Sequence, residues 1–213
     1  MKGRSGPEGR GVETMRSNRF AEQVHYSQVL DTDPWTDLPY WNSTVRYDGC
    51  GMVSLAMCID ILTGKNLTPL EVYRMRNEAG LDQSRTADAA GTSVCGGDVT
   101  LKLNPVNRRL FQVESEPLQR DVRAFREVLE QEKVIWASSR NTPFYDVYGR
   151  IRDRKPELGH VIVFWKYEDG MFYAKDCAYG QDLGNNIPYS EEMLRAWLAA
   201  NPFQQFALRG VRE

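Results

Sequence analysis

Histidine and cysteine are scarce in this chain: 213 residues hold two His and four Cys. The cysteines, Cys50, Cys58, Cys95 and Cys177, form no CxxC pair and no framework spacing. Neither a zinc site nor a disulfide-stapled scaffold is expected, and the reading calls for no cofactor and no metal. Cys50 and Cys58 lie on one predicted helix, about 12 Å apart, too far for a bridge. Reduced thiols in a cytoplasmic setting are the default expectation. Long apolar runs are also missing. No stretch approaches the roughly 18 to 20 residues that a spanning helix needs, so no membrane insertion is expected. Charge of one sign is missing too: the net charge is −2, and no global basic field argues for nucleic acid. The local run Arg150, Arg152, Arg154 and Lys155 reads as a solvated loop. The opening MKGRSGPEGRGVETMRSNR is basic and Gly-rich without an apolar core, unlike a secretory signal. It reads as a disordered arm over residues 1 to about 20, and a secreted effector is compatible with it.

What is present is ordinary for a folded domain: 41% hydrophobic and 26% charged residues, enough for one unit over 21–213. Residues 21 to 49 are aromatic and Pro-rich and read as an irregular lead-in. In CGMVSLAMCIDILTG, apolar residues recur at helical spacing and Gly64 is placed to end the helix. Thr68-Pro69-Leu70-Glu71 supplies an N-cap, a Pro at the first helical position and an acidic first turn, so a second helix runs to Gly80. Residues 82 to 99 read as a loop. Asp121–Glu132 reads as an amphipathic helix leading into a short strand at Val134–Ala137. Residues 139 to 158 read as a long polar loop whose Phe144, Tyr145 and Tyr148 could wall a cleft. GHVIVFWKYEDGMFYAKDC reads as two strands joined at Asp169-Gly170. Ser190–Ala200 reads as a capped helix, and FQQFALRG as a last strand. Helices first and antiparallel strands later give an α+β pattern. Trp35, Trp41, Trp136, Trp165 and Trp197 are core candidates.

Three residues could carry chemistry. Cys50 stands where a turn becomes a helix, in Asp48-Gly49-Cys50-Gly51. Free backbone N–H groups and the helix dipole there favour thiolate, and the same N–H groups could hold an oxyanion. Alone, this pattern leaves open whether Cys50 is reactive or a small buried apolar residue. His160 opens an apolar strand after a glycine. Asp176 closes the second strand, and folding the hairpin at Asp169-Gly170 brings the two within cross-strand reach. An acid set against an imidazole N–H fixes its tautomer, the logic of a nucleophile–base–orienter triad. Which faces the two side chains take is undetermined at this level. His25 reads as a surface or packing residue. Cys95-Gly96-Gly97 could be a self-processing site but reads as a flexible loop.

These segments resemble the papain-like cysteine peptidases related to the bacteriocin-processing, double-glycine-leader peptidase family. The resembling pieces are Tyr26-Ser27-Gln28, Trp35, Pro39-Tyr40, GCGMVSLAM, LTGKNLTPLEV, GHVIVFW and FYAKDC, spread over residues 26 to 177. The resemblance implies a papain-like fold with the Cys helix packed on a C-terminal antiparallel sheet. It implies Cys50 as nucleophile, His160 as base, Asp176 as orienter and Gln28 as a side-chain oxyanion donor. In the exporters' peptidase domains the corresponding Gln stands a few residues before the Cys. Here an insertion, DTDPWTDLPYWNSTVRYDG, has to loop out. Such proteins also carry Asp-Pro where this chain has Asp176-Cys177, and Cys177 reads as a packing residue.

The expected function is hydrolysis of a peptide or amide bond, with a protein or peptide as substrate. Transfer of the acyl group to an amine, and a non-catalytic binding module on the same scaffold, are the alternatives.

Overall fold

The computed structural model of the chain describes residues 20–41, 43–81, 99, 101–139, 144–152 and 159–211. The expected arm, apart from residue 20, and the Cys95-Gly96-Gly97 motif lie outside the described residues. A helical turn at 20–23 opens the described chain. The lead-in then folds into a short hairpin, β1 (Pro39–Tyr40) and β2 (Ser43–Thr44), and a one-turn helix, α1 (Val45–Asp48). Helix α2 (Cys50–Thr63) follows at once, and α3 (Pro69–Glu78) packs beside it. Gly64 ends α2 in the left-handed conformation, φ 64°. Thr68 and Glu71 close a reciprocal capping box at the start of α3.

Residues 101–118 hold elements that carry no clear signal in the sequence. A single 3₁₀ turn (Leu101–Leu103) leads into α4 (Asn104–Phe111) and strand β3 (Val113–Leu118). β3 carries Pro117, which a central strand rarely tolerates, and it lies at one edge of the sheet. Next come α5 (Val122–Glu130), capped by Asp121, and β4 (Val134–Ser139). The expected long loop is structured in its described part: β5 (Phe144–Tyr145) pairs with β6 (Ile151–Arg152). Asp146 holds this hairpin by accepting from the Tyr148 and Arg150 N–H groups and from the Arg150 guanidinium. β7 (His160–Glu168) and β8 (Met171–Asp176) form the expected long hairpin, turning at Asp169 and Gly170, both at positive φ. A one-turn helix α6 (Gln181–Gly184), strand β9 (Ile187–Tyr189), helix α7 (Glu191–Ala200) and strand β10 (Gln205–Gly210) complete the described chain.

Among the described residues, six strands make one sheet in the order β3-β10-β4-β7-β8-β9, every pair antiparallel. Alternation along β7 separates two cores. Val161, Val163 and Trp165 join α2 in one, and Ile162 and Phe164 join residues of α5 and α7 in the other. Four of the five candidate core tryptophans are buried, whereas Trp41 is 40% exposed.

Candidate active site

The β7–β8 hairpin decides where the polar pair falls. From the turn outward, Glu168 faces Met171, Tyr167 faces Phe172 and Lys166 faces Tyr173. Continued without interruption, that register would set Asp176 opposite Val163, on the sheet face away from His160. A bulge at Trp165 skips one residue, so Phe164 faces Ala174 and Asp176 faces Ile162. His160 and Asp176 therefore share a face, one diagonal step apart. Nε2 of His160 lies 2.6 Å from Asp176 Oδ1, and both side chains are buried.

This contact assigns the ring. A carboxylate only accepts, so Nε2 carries the proton and Nδ1 is the basic nitrogen. The Ala178 N–H donates to the same Asp176 oxygen at 2.9 Å. His25 donates from Nε2 to the Asp176 carbonyl at 3.1 Å, so the residue expected on the surface or in packing braces the acid from behind. Burial lowers the His25 pKa to about 4, which keeps it the neutral donor. Gly184 makes room for this contact: a Cβ there would stand 2.4 Å from the Asp176 carbonyl and 2.7 Å from His25 Nε2. Phe144 of β5 meets the His160 ring edge-to-face at a centroid distance of 5.1 Å. The β5–β6 hairpin thus forms a wall beside the imidazole, with Tyr148 and Ile151 exposed on it.

Cys50 is the first residue of α2 and is half-buried. Gly49 before it offers no side-chain cap to the start of the helix. Its backbone is tightly seated against α1, and a Cβ there would lie 2.6 Å from the Val45 carbonyl oxygen. The inner side of the helix is fixed to the sheet by Ser54, which donates to the Val161 carbonyl at 3.3 Å, and by Trp136, which donates to the Gly51 carbonyl at 3.2 Å. Cys58, two turns on, is fully buried, and burial pushes its thiol well above the ordinary range.

Gln28 is buried and both ends of its amide are engaged. Nε2 donates to the Arg46 carbonyl at 3.0 Å, and Oε1 accepts from Cys177 Sγ at 3.1 Å. The insertion that separates Gln28 from Cys50 is folded back on itself by Arg46. Its guanidinium reaches the Val29 carbonyl, Asp31, Thr36 and Asp37, and its N–H donates to the Thr36 carbonyl.

His160 and Asp176 are thus joined directly, and Cys177, expected as a packing residue, touches both Gln28 and the start of α2. Cys177 Sγ lies 3.8 Å from the Cys50 carbonyl oxygen and 3.9 Å from the Ser54 hydroxyl. Its sulfur also lies within 4.8 Å of ligand atoms of His160 and Asp176. Helix α2 packs on the sheet face that carries Val161 and Val163, and Cys177 follows directly on the end of β8. Nothing in the sequence marked it beyond its place next to Asp176. Among the described residues, His160, Asp176 and Cys177 are the one group with ligand atoms close enough for a metal. They fit one poorly. Two ligands of one tetrahedral zinc ion stand roughly 3.3 to 3.6 Å apart, given bonds of about 2.0 to 2.2 Å. The 2.6 Å His–Asp contact is a hydrogen-bond distance.

No protein-family model matches the sequence, and no curated protein matches it. Solved structures do. A protein from Bacillus anthracis described as a C39-like peptidase matches 91% of this chain and 97% of its own, with a TM-score of 0.50 at 10% identity. A double glycine motif protease from an AMS/PCAT transporter, solved in complex with the leader peptide, is looser. It matches 76% of this chain and 84% of its own, with a TM-score of 0.38 at 13% identity. The fold of the chain is α+β and resembles that of the C39-like, papain-like peptidases, with a helical N-terminal half packed on a C-terminal antiparallel sheet.

Proposed function

We propose that the chain is a cysteine peptidase that cleaves a peptide or amide bond through Cys50, His160 and Asp176. The observation that carries this reading is the buried 2.6 Å contact between His160 Nε2 and Asp176 Oδ1. It leaves Nδ1 as the base, and among the described cysteines Cys50, the first residue of α2, bears the one half-buried thiol. The same reading takes residues 21–213 as one domain.

In this mechanism Nδ1 takes the Cys50 thiol proton and the thiolate attacks the substrate carbonyl carbon. The oxyanion is held by N–H groups at the start of α2 and by Gln28 Nε2. The imidazolium then protonates the leaving amine as the C–N bond breaks. Water, deprotonated by Nδ1, attacks the thioester, and the acid product leaves as the thiol is restored. Asp176 holds the ring in the required tautomer throughout.

Alkylation of Cys50 by iodoacetamide tests the reading, with the modified peptide quantified by mass. Alkylation is expected to proceed below pH 7, and His160→Ala should slow it at pH 6 by about tenfold or more. Inertness of Cys50 across about pH 5 to 9 would overturn the proposal and leave a binding module on a peptidase scaffold.

A further inference from the structure

We propose that Cys177 is a positioning residue: its thiol holds the Gln28 amide so that Nε2 faces the site headed by Cys50. This inference rests on the reading of Cys50 as nucleophile and Gln28 as oxyanion donor.

A carboxamide presents two ends of nearly equal shape, and only its partners decide which end is oxygen. For Gln28 both partners speak. The Arg46 carbonyl accepts only, so it takes Nε2. The Cys177 thiol supplies the hydrogen for Oε1 at 3.1 Å. A rotated amide would set Oε1 against the Arg46 carbonyl, lose that bond, and exchange the thiol's bond to oxygen for a weak N–H···S contact. One Nε2 hydrogen is committed to Arg46, and the second is the one an oxyanion would use.

The base on which the thiol stands is fixed. The Gln28 N–H donates to the Cys177 carbonyl at 2.8 Å, and the Ser27 hydroxyl reaches the same oxygen at 3.4 Å. The two backbones are thus tied beside the side-chain contact. Around the sulfur stand the Cys50 carbonyl at 3.8 Å, the Val161 carbonyl at 3.9 Å and the Ser54 hydroxyl. Cys177 is fully buried, so water does not compete for Oε1. A packing residue in this place would need only volume. A positioning residue needs the S–H.

Two reagents separate the roles. p-Nitrophenyl acetate acylates a thiolate through a tetrahedral oxyanion: the sulfur bonds to the carbonyl carbon, the C–O bond breaks and p-nitrophenolate leaves. Iodoacetamide alkylates the same thiolate with loss of iodide and forms no oxyanion. Gln28→Ala is expected to slow acylation of Cys50 by about 100-fold, as for loss of one oxyanion donor, with alkylation unchanged. Cys177→Ala and the volume-conserving Cys177→Val should each slow acylation by about tenfold with alkylation within about twofold of the parent. Cys177→Ser, which restores a donor, should return acylation to within about threefold. The double variant Gln28→Ala/Cys177→Ala should acylate no more slowly than Gln28→Ala.

Parent-like acylation by Cys177→Ala, beside a slow Gln28→Ala, would overturn the positioning role and leave the peptidase reading standing. Multiplicative losses in the double variant, or alkylation falling in step with acylation, would overturn it as well. Parent-like acylation by Gln28→Ala would remove the oxyanion role and this inference together. A parent protein whose Cys50 resists both reagents would end the peptidase reading itself.

Discussion

Asp176 is held from several sides at once. Its side chain accepts from His160 and from the Ala178 N–H, and its carbonyl accepts from His25. Such bracing suits an orienter, which has to keep an imidazole in one tautomer through every step. Asp176→Asn keeps an acceptor for both donors, because the amide oxygen can occupy the Oδ1 position. Asp176→Ala removes it. The expected loss in Cys50 acylation is about tenfold for Asn and about 10² to 10³ for Ala. In both variants the pH dependence of Cys50 alkylation should move to higher pH, since an imidazolium beside the thiolate loses its stabilising carboxylate. An alanine variant with parent kinetics would show that the 2.6 Å contact serves packing alone. At this scale the sequence was partly legible. The spacing of His160 and Asp176 about an Asp-Gly turn announced their pairing. The shared face did not, because it depends on a bulge at Trp165, and nothing in a run of aromatic and β-branched residues marks which one is skipped. Cys177 was legible only as a small apolar residue, since a thiol's hydrogen bond depends on what lies across from it.

Elements were legible where end chemistry was explicit. The Thr68 and Ser190 caps, the left-handed Gly64 and the Asp169-Gly170 turn stand where the sequence set them, and Asp121, expected as the first helical residue, is instead the cap of α5. The unassigned stretch, α4 and β3, has weaker signals. Val113–Leu118 is short, interrupted by Pro117 and polar at three successive places, Glu114, Ser115 and Glu116, as befits an edge strand completed by β10. The β5–β6 hairpin escaped for another reason: its order comes from Asp146, not from alternation of apolar residues. At the junction of α1 and α2, Gly49 is required by contact and not by a special φ, which is −85°. A methyl there would collide with the Val45 backbone at 2.6 to 2.7 Å. Gly49→Ala should therefore cost about 1 to 3 kcal/mol in urea unfolding, as overpacked sites do. Because the collision lies one residue before Cys50, alkylation of Cys50 should slow as well. Unchanged unfolding would mean that α1 yields freely, and the start of α2 would not be a fixed frame.

At the scale of the molecule, a six-stranded sheet carries two cores, and the N-terminal segment is sewn to its far end by buried polar groups. Lys175 donates to the Glu22 carbonyl and to the Asn185 and Asn186 side chains, while His25 donates to the Asp176 carbonyl. This seam was not legible, because neither a lone His nor a strand Lys announces burial. Burial lowers the Lys175 pKa from 10.5 to about 7 and that of His25 from 6.5 to about 4. The sign follows from which state takes up the proton first. As pH falls through 10.5 the unfolded chain protonates its lysine while the folded one does not until about 7, so stability declines over that window. From 6.5 to about 4 the histidine repeats this, with a loss on the order of 3 kcal/mol. Burial raises the carboxyl pKa values of Asp33, Asp48 and Asp60, and these act in the opposite sense in acid. A comparison of variants cancels them. His25→Gln places an amide N–H near the Nε2 position without a titrating proton, so it should keep the contact to Asp176. Its urea-unfolding free energy should match the parent near pH 7 and exceed it increasingly from pH 6.5 down to 4. Parallel curves over that range would mean that His25 accepts its proton inside the fold, and the brace behind the acid would then be a charged one.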